Sequence, residues 1–138
     1  MDLQVESLVG GLAAVQLLCN KDPGDVQPFL AAGGMKLLLQ VVEEVSETTG
    51  LLLFALTSVE CACRHGCGCE ALLSEGKEPL LALRHKMQRP PITRLLQRVV
   101  YRLQCYELAC SFEVVLLHVH IQNFREFRKY SDLSYFPL

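Results

Sequence analysis

Apolar positions along this chain recur at helical spacing. Over residues 3–19 (LQVESLVGGLAAVQLLC), Leu8, Leu12, Val15 and Leu18 fall three or four apart, the interval that stacks side chains on one face of a 3.6-residue helix. Gly10-Gly11 weakens that helix by about 1 kcal/mol per glycine relative to alanine. Residues 20–25 (NKDPGD) predict a turn. Residues 28–32 then fit a one-turn helix ended by Gly33-Gly34. Residues 35–45 place Leu38, Val41, Val42 and Val45 on one stripe, with Lys36, Glu43 and Glu44 outside. A polar connection over 46–50 leads into residues 51–64, apolar almost all round, as expected of a helix covered on several sides. Residues 67–75 predict a further short helix stopped by Gly76, and Pro79 suits the first turn of the next one. That helix runs through Met87 and halts at Arg89-Pro90-Pro91. Residues 92–110 make the longest predicted helix, with Leu95, Val99, Leu103 and Tyr106 inward. From Ser111 the periodicity degrades, and FEVVLLHVHI (112–121) fits either a helix or a β-prone run.

The pattern also repeats. Phe29-Leu30-Ala31-Ala32-Gly33 overlies Leu72-Leu73-Ser74-Glu75-Gly76 at an offset of 43 residues, and Leu37-Leu38 falls on Leu80-Leu81. Periods of about 40–47 residues built from two or three helices mark armadillo and HEAT solenoids. The fold expected is all-α, a short armadillo/HEAT-like α-solenoid of about three repeats. Residues 1–110 form the repeats, and residues 111–138 form an aromatic-rich tail that is left unassigned and lies outside them. The tail departs from the plan in composition too, since six of the ten aromatics lie from Phe112 onward.

Composition sharpens this picture in two respects. Hydrophobic residues make up 51% and charged residues 20% of the 138-residue chain. That is apolar for a globular domain, and a piece of a solenoid accounts for it, because each repeat buries faces against its neighbours. The net charge of −2 gives no overall drive toward nucleic acid or anionic membrane. No apolar run approaches the ~18 residues that span a bilayer, and residues 3–19 lack the basic flank of a signal peptide while carrying Glu6, with Asp2 just ahead. Seven cysteines without an export signal, and odd in number, point to free thiols in a reducing compartment rather than a disulfide framework.

The candidate chemistry is sparse. Cys61, Cys63, His65, Cys67 and Cys69 alternate with single spacers, and thiolates and imidazoles suit zinc or copper. The spacing argues against a metal, since structural zinc pairs keep two to four residues between ligands and draw on a distant second pair. Alternation by two also throws successive helical side chains to opposite sides. Cysteine as a small buried packing residue is the favoured reading, ahead of metal binding and redox sensing. A Cys67–His65 nucleophilic pair lacks a recognisable orienting acid and oxyanion hole, His118 and His120 form an isolated alternating pair, and the glycine pairs lack the lysine and strand–helix context of a phosphate loop. Arg94, Arg98 and Arg102 stand at i, i+4 and i+8, with Arg84, Lys86 and Arg89 upstream. They are the candidate partner-binding residues, suited to acidic peptide or RNA phosphate, although such a row is more commonly a solvated helix face. The expectation is a non-enzymatic protein that needs no cofactor and binds no small-molecule substrate.

Four segments, LVGGLAAVQLLC, VQPFLAAGGMKLLLQVV, LFALTSVECACRHGCGCEALLSEG and RVVYRLQCYELACSFEVV, taken in that order, resemble the armadillo-like region of Virilizer-type proteins. The last is the most distinctive, through Gln104-Cys105-Tyr106-Glu107-Leu108. The resemblance covers about residues 3–115. It implies a nuclear scaffold without catalysis of its own, in the complex that writes N6-methyladenosine on messenger RNA, with a bearing on splicing. Its partners would be protein subunits of that complex, held through helix surfaces, with direct RNA contact as a further option. The alternatives are an armadillo adaptor in cytoplasmic trafficking or ubiquitin-ligase assembly, and a Cys/His metal or redox module.

Overall fold

The computed structural model describes residues 3–86 and 89–130. Among these, seven helices and no strands are present: α1 (Leu3–Cys19), α2 (Pro23–Ala31), α3 (Gly34–Glu44), α4 (Thr49–Ala62), α5 (Gly66–Glu75), α6 (Glu78–Lys86) and α7 (Pro90–Tyr130). Met87, at the expected end of the sixth helix, and residues 131–138 of the tail lie outside the described residues.

The helix order follows the apolar pattern, with three differences: two boundaries and one buried stripe. The second helix begins at Pro23 rather than at Pro28. Pro23 takes the first helical position, where its fixed φ is pre-organised and its missing N–H has no partner to lose, and Asp25 in the first turn complements the helix dipole. Pro28 therefore sits inside a helix. The buried stripe of α7 is Ile92, Leu96, Val99 and Leu103, while Leu95 and Tyr106 are only half-buried. Finally, α7 does not stop near Cys110 but continues to Tyr130, so residues 112–121 are helical.

The chain divides into two compact units, the first through Gln104 and the second from Cys105. In the first unit the three-helix plan occurs twice. α1 and α4 end at Cys19 and Ala62, α2 and α5 begin at Pro23 and Gly66, and each pair of positions is 43 residues apart. Gly33 and Gly76 stand at the same interval, and both take positive φ, +91° and +94°. That backbone is open to glycine at little cost and disfavoured for other residues, so a positive-φ glycine follows α2 and another follows α5. Counterpart helices pack together, α1 on α4 and α2 on α5, and α3 lies against both α4 and α5.

The core follows from this stacking. Leu52, Ala55, Leu56, Val59 and Ala62 of α4 are fully buried, together with Val26 of α2, Leu72 of α5 and Ile92 and Val99 of α7. α4 is covered on several sides, which explains its near-uniform apolarity. Where α4 hands over to α5, the backbones come very close. A Cβ on Gly68 would lie 1.9 Å from the Ala62 carbonyl oxygen, so only glycine fits there.

In the second unit, the described side chains of the helix from Cys105 to Tyr130 are exposed apart from Tyr106, which is half-buried. Leu108, Phe112, Val114, Leu117, Ile121 and Phe124 are among its large exposed apolar residues. No helix among the described residues is long and apolar enough to cross a membrane.

Candidate functional site

The polar groups with the most defined surroundings lie where α4 meets α1, α5 and α7. Glu60 is the only carboxylate in α4, and its side chain is just 3% exposed. An unpaired carboxylate there would be costly. Arg102 of α7 supplies Nε at 2.8 Å to one carboxylate oxygen, and Arg64 supplies a guanidinium nitrogen at 3.1 Å to the other. Two cations therefore hold one buried anion, which ties α7 to α4. No buried side-chain nitrogen or oxygen among the described residues is left without a partner.

A second polar seam joins α1 to α4. Gln16 Nε2 donates to the Phe54 carbonyl at 3.2 Å and to Ser58 Oγ at 3.1 Å. The Ser58 hydroxyl, fully buried, has the carbonyls of Phe54 and Leu12 as acceptors, at 3.2 and 3.4 Å. These bonds fix the rotation of α4 against α1 within an otherwise apolar contact.

The Cys/His sequence is spread over the α4–α5 corner rather than gathered around a point. Cys61, Cys63 and Cys69 are buried and Cys67 is half-buried. His65 sits at the start of α5, and its Nε2 lies 2.6 Å from the Cys19 carbonyl oxygen. A carbonyl only accepts, so Nε2 carries the proton, and the ring closes the last turn of α1. Cys69 Sγ donates to the Cys63 carbonyl at 3.1 Å. Among the described residues, no group of three or more His, Cys, Asp or Glu side chains is arranged to hold a metal ion. Burial, aided by the nearby thiols of Cys61 and Cys67, pushes the Cys19 thiol up to about 11. Burial also raises Cys61, while the hydrogen bond with Cys69 and then burial raise Cys63. Thiols held protonated are weak nucleophiles and weak ligands.

The arginine row divides. Arg94 and Arg98 are exposed, whereas Arg102 is 38% exposed and turned onto Glu60. Helix geometry explains this. Each step of four residues overshoots a full turn by about 40°, so Arg102 stands about 80° around the axis from Arg94, toward the buried stripe. Sequence reasoning missed the Glu60 partner, although a lone glutamate in the run LTSVECA was the available signal. Upstream, Lys86 pairs with Glu47 at 3.0 Å and Arg89 donates to the Thr49 hydroxyl. Shallow cavities open on the first unit. One, of about 160 Å³, lies among α1, α2 and α3 and is lined by Leu8, Gly11, Val15, Phe29 and Leu37. Another, about 190 Å³, lies between α3 and α6 beside Val42, Pro79 and Leu83.

The class defined by this fold is an all-helical protein whose described residues offer packed polar anchors and open helix surfaces. Among known proteins, the chain is 32% identical over 122 residues to the "Protein virilizer homolog" of Arabidopsis thaliana. The match covers 78% of this chain and 6% of that protein. No family model matches the chain, and no solved structure matches it.

Proposed function

We propose that this chain is a segment of an armadillo-like α-solenoid that acts as a non-catalytic, Virilizer-like scaffold in the nuclear complex that methylates adenosine in messenger RNA. The observation that carries the reading is the recurrence of the three-helix plan, with matched helix ends and matched positive-φ glycines 43 residues apart. Units stacked in this way build extended surfaces from many small rotations, which suits the holding of partner proteins. The likeness to the plant virilizer homolog supports the particular assignment over a generic adaptor. The polar groups between the helices support it as well. Glu60, Arg102, Gln16, Ser58 and His65 all join one helix to another, which is a structural use of polar chemistry.

Affinity capture of the whole chain from nuclear and from cytoplasmic extracts, with and without RNase, tests this. RNase-resistant recovery of adenosine-methyltransferase subunits and splicing proteins from the nuclear extract is the expected result. Recovery of cytoplasmic adaptors alone would overturn the assignment.

A further inference from the structure

The helix of the second unit carries its apolar residues on the outside. From Cys105 onward all the described side chains but Tyr106 are exposed, although helices in proteins owe most of their stability to the packing of an apolar face. At 100° per residue, the large apolar side chains separate into two stripes roughly 170° apart. Leu108, Phe112, Val115 and Val119 make one, and Val114, Leu117, Ile121 and Phe124 make the other. Two opposed stripes leave no single period in this part of the sequence.

The stripes differ in their borders. The second is extended by Cys110, which is exposed, and from Cys110 to Phe124 it keeps the alternating steps of four and three that mark a coiled-coil seam. In that register Val114 and Ile121 are a positions, Cys110, Leu117 and Phe124 are d positions, and Arg128 at the next a position ends the seam. The flanking e and g positions hold Ser111, His118, Arg125, Glu113 and His120, all polar. The first stripe is bordered by Ala109 and Leu116 instead and lacks that division. β-branched residues at a with leucine at d favour two parallel strands, so the pattern suits a second copy of the same helix. In-register pairing also brings Glu113 at g to His118 at e of the second copy, a carboxylate against an imidazole N–H. Area sets the strength. Val114, Leu117, Ile121 and Phe124 are 42% to 68% exposed, which leaves on the order of 400 Å² of apolar surface. With the flanking stems, a second copy covers about 600 Å² per partner, or about 1,200 Å² in all, the lower edge of what specific pairs use.

We propose that residues 110–124 pair with the same residues of a second copy as a short, parallel, two-stranded coiled coil in which Cys110 faces Cys110. The pairing is weak and reversible, so a dilute chain stays single and this segment exchanges its amide hydrogens freely there. It goes beyond the scaffold reading and stands or falls separately from it, because its test uses the purified chain alone.

The test is sedimentation equilibrium of the whole chain under reducing conditions, from about 1 to about 100 µM. The mass is expected to rise from one chain toward two. The double variant Leu117→Glu/Ile121→Glu is expected to weaken association by about tenfold or more, because the seam would bury unpaired charge. Thermal unfolding of the dilute variant should be unchanged, since both positions are exposed. Phe112→Glu, on the opposite stripe, should leave association within about twofold. Facing d residues lie about 6 Å apart at Cα, within the span of a disulfide. Diamide, which takes the two thiol hydrogens and is itself reduced to the hydrazine, should therefore lock the pair covalently. That cross-link should vanish in Cys110→Ser and persist in Cys105→Ser, because Cys105 lies about 140° around the helix from Cys110. A chain that stays single throughout would overturn the proposal and leave the stripe to a different protein. Equal weakening by Phe112→Glu, growth beyond two chains, or a cross-link that survives Cys110→Ser would overturn it as well.

Discussion

Gly68→Ala tests the closest approach in the first unit. The added Cβ would lie 1.9 Å from the Ala62 carbonyl oxygen, 2.5 Å from the Ala62 carbonyl carbon and 3.1 Å from the Cys63 nitrogen. Comfortable contact needs about 3.5 Å, so the α4–α5 corner would have to open by about 1.5 Å. The obstacle is backbone on both sides, and no side-chain rotation relieves it. Against this, alanine gains about 1 kcal/mol over glycine in a helix interior. Overpacking costs about 1–3 kcal/mol, and a rigid backbone collision belongs at or above the top of that range. The opening also strains the Cys69 bond to the Cys63 carbonyl. A net loss of about 2 kcal/mol follows, a drop in Tm of about 10 °C for a unit of this size. Gly10→Ala is the matched control. Gly10 lies within α1 with no atom within 4 Å of its hypothetical Cβ, so the same substitution should raise stability by about 0.5–1 kcal/mol. Thermal denaturation followed by far-ultraviolet circular dichroism reads both variants. A Gly68→Ala variant that melts at or above the parent would refute the packing argument.

Three further outcomes are expected. Arg102→Ala should cost about 2 kcal/mol in urea unfolding, less than a typical broken buried pair because Arg64 still neutralises Glu60, while Arg94→Ala should stay within about 0.5 kcal/mol; equal effects would mean that Arg102 does not anchor α7. His65→Ala leaves the Cys19 carbonyl unpaired at the end of α1 and should cost about 1 kcal/mol, which a neutral result in the same assay would contradict. Stability should be flat up to about pH 9 and fall between about 9 and 11. The Cys19 thiol has its pKa raised from 9.0 to about 11 in the fold, so the unfolded chain releases that proton first and rising pH favours unfolding through this window. Cys61, raised by burial, should steepen the fall, while the hydrogen-bonded pair Cys63 and Cys69 shifts in opposite directions, Cys63 up and Cys69 down, and so works in opposite senses. A pH series of melts on the parent and on Cys19→Ala, which should be flatter, checks this.

Much of the fold was legible in the residues, because helix and glycine signals act locally. The stripe in residues 35–45 and the near-uniform apolarity of residues 51–64 reflect burial on one side and on several sides, and the structure shows both. Pro28 misled because a proline inside a helix is unfavourable taken alone. The more favourable position of Pro23 and the burial of Val26 outweigh it. The length of α7 was not legible, because Phe112, Val114, Val115 and Val119 carry β-prone character without a polar rhythm to set a period. The arginine row was read as one face, but the decisive fact was a partner 42 residues earlier in sequence, which no local pattern encodes. His65 likewise meets the Cys19 carbonyl across 46 residues.

The measurement that bears most directly on the repeated three-helix plan is hydrogen exchange along the native chain. Exchange should be slowest in α4, the helix packed against α1 and α3, with clear protection in α2 and α5. It should be fast from Cys105 to Tyr130, where all the described side chains but Tyr106 are exposed. Protection that peaks in residues 105–130, or that is no greater in α4 than in α1, would contradict the stacked plan and with it the basis for the scaffold reading.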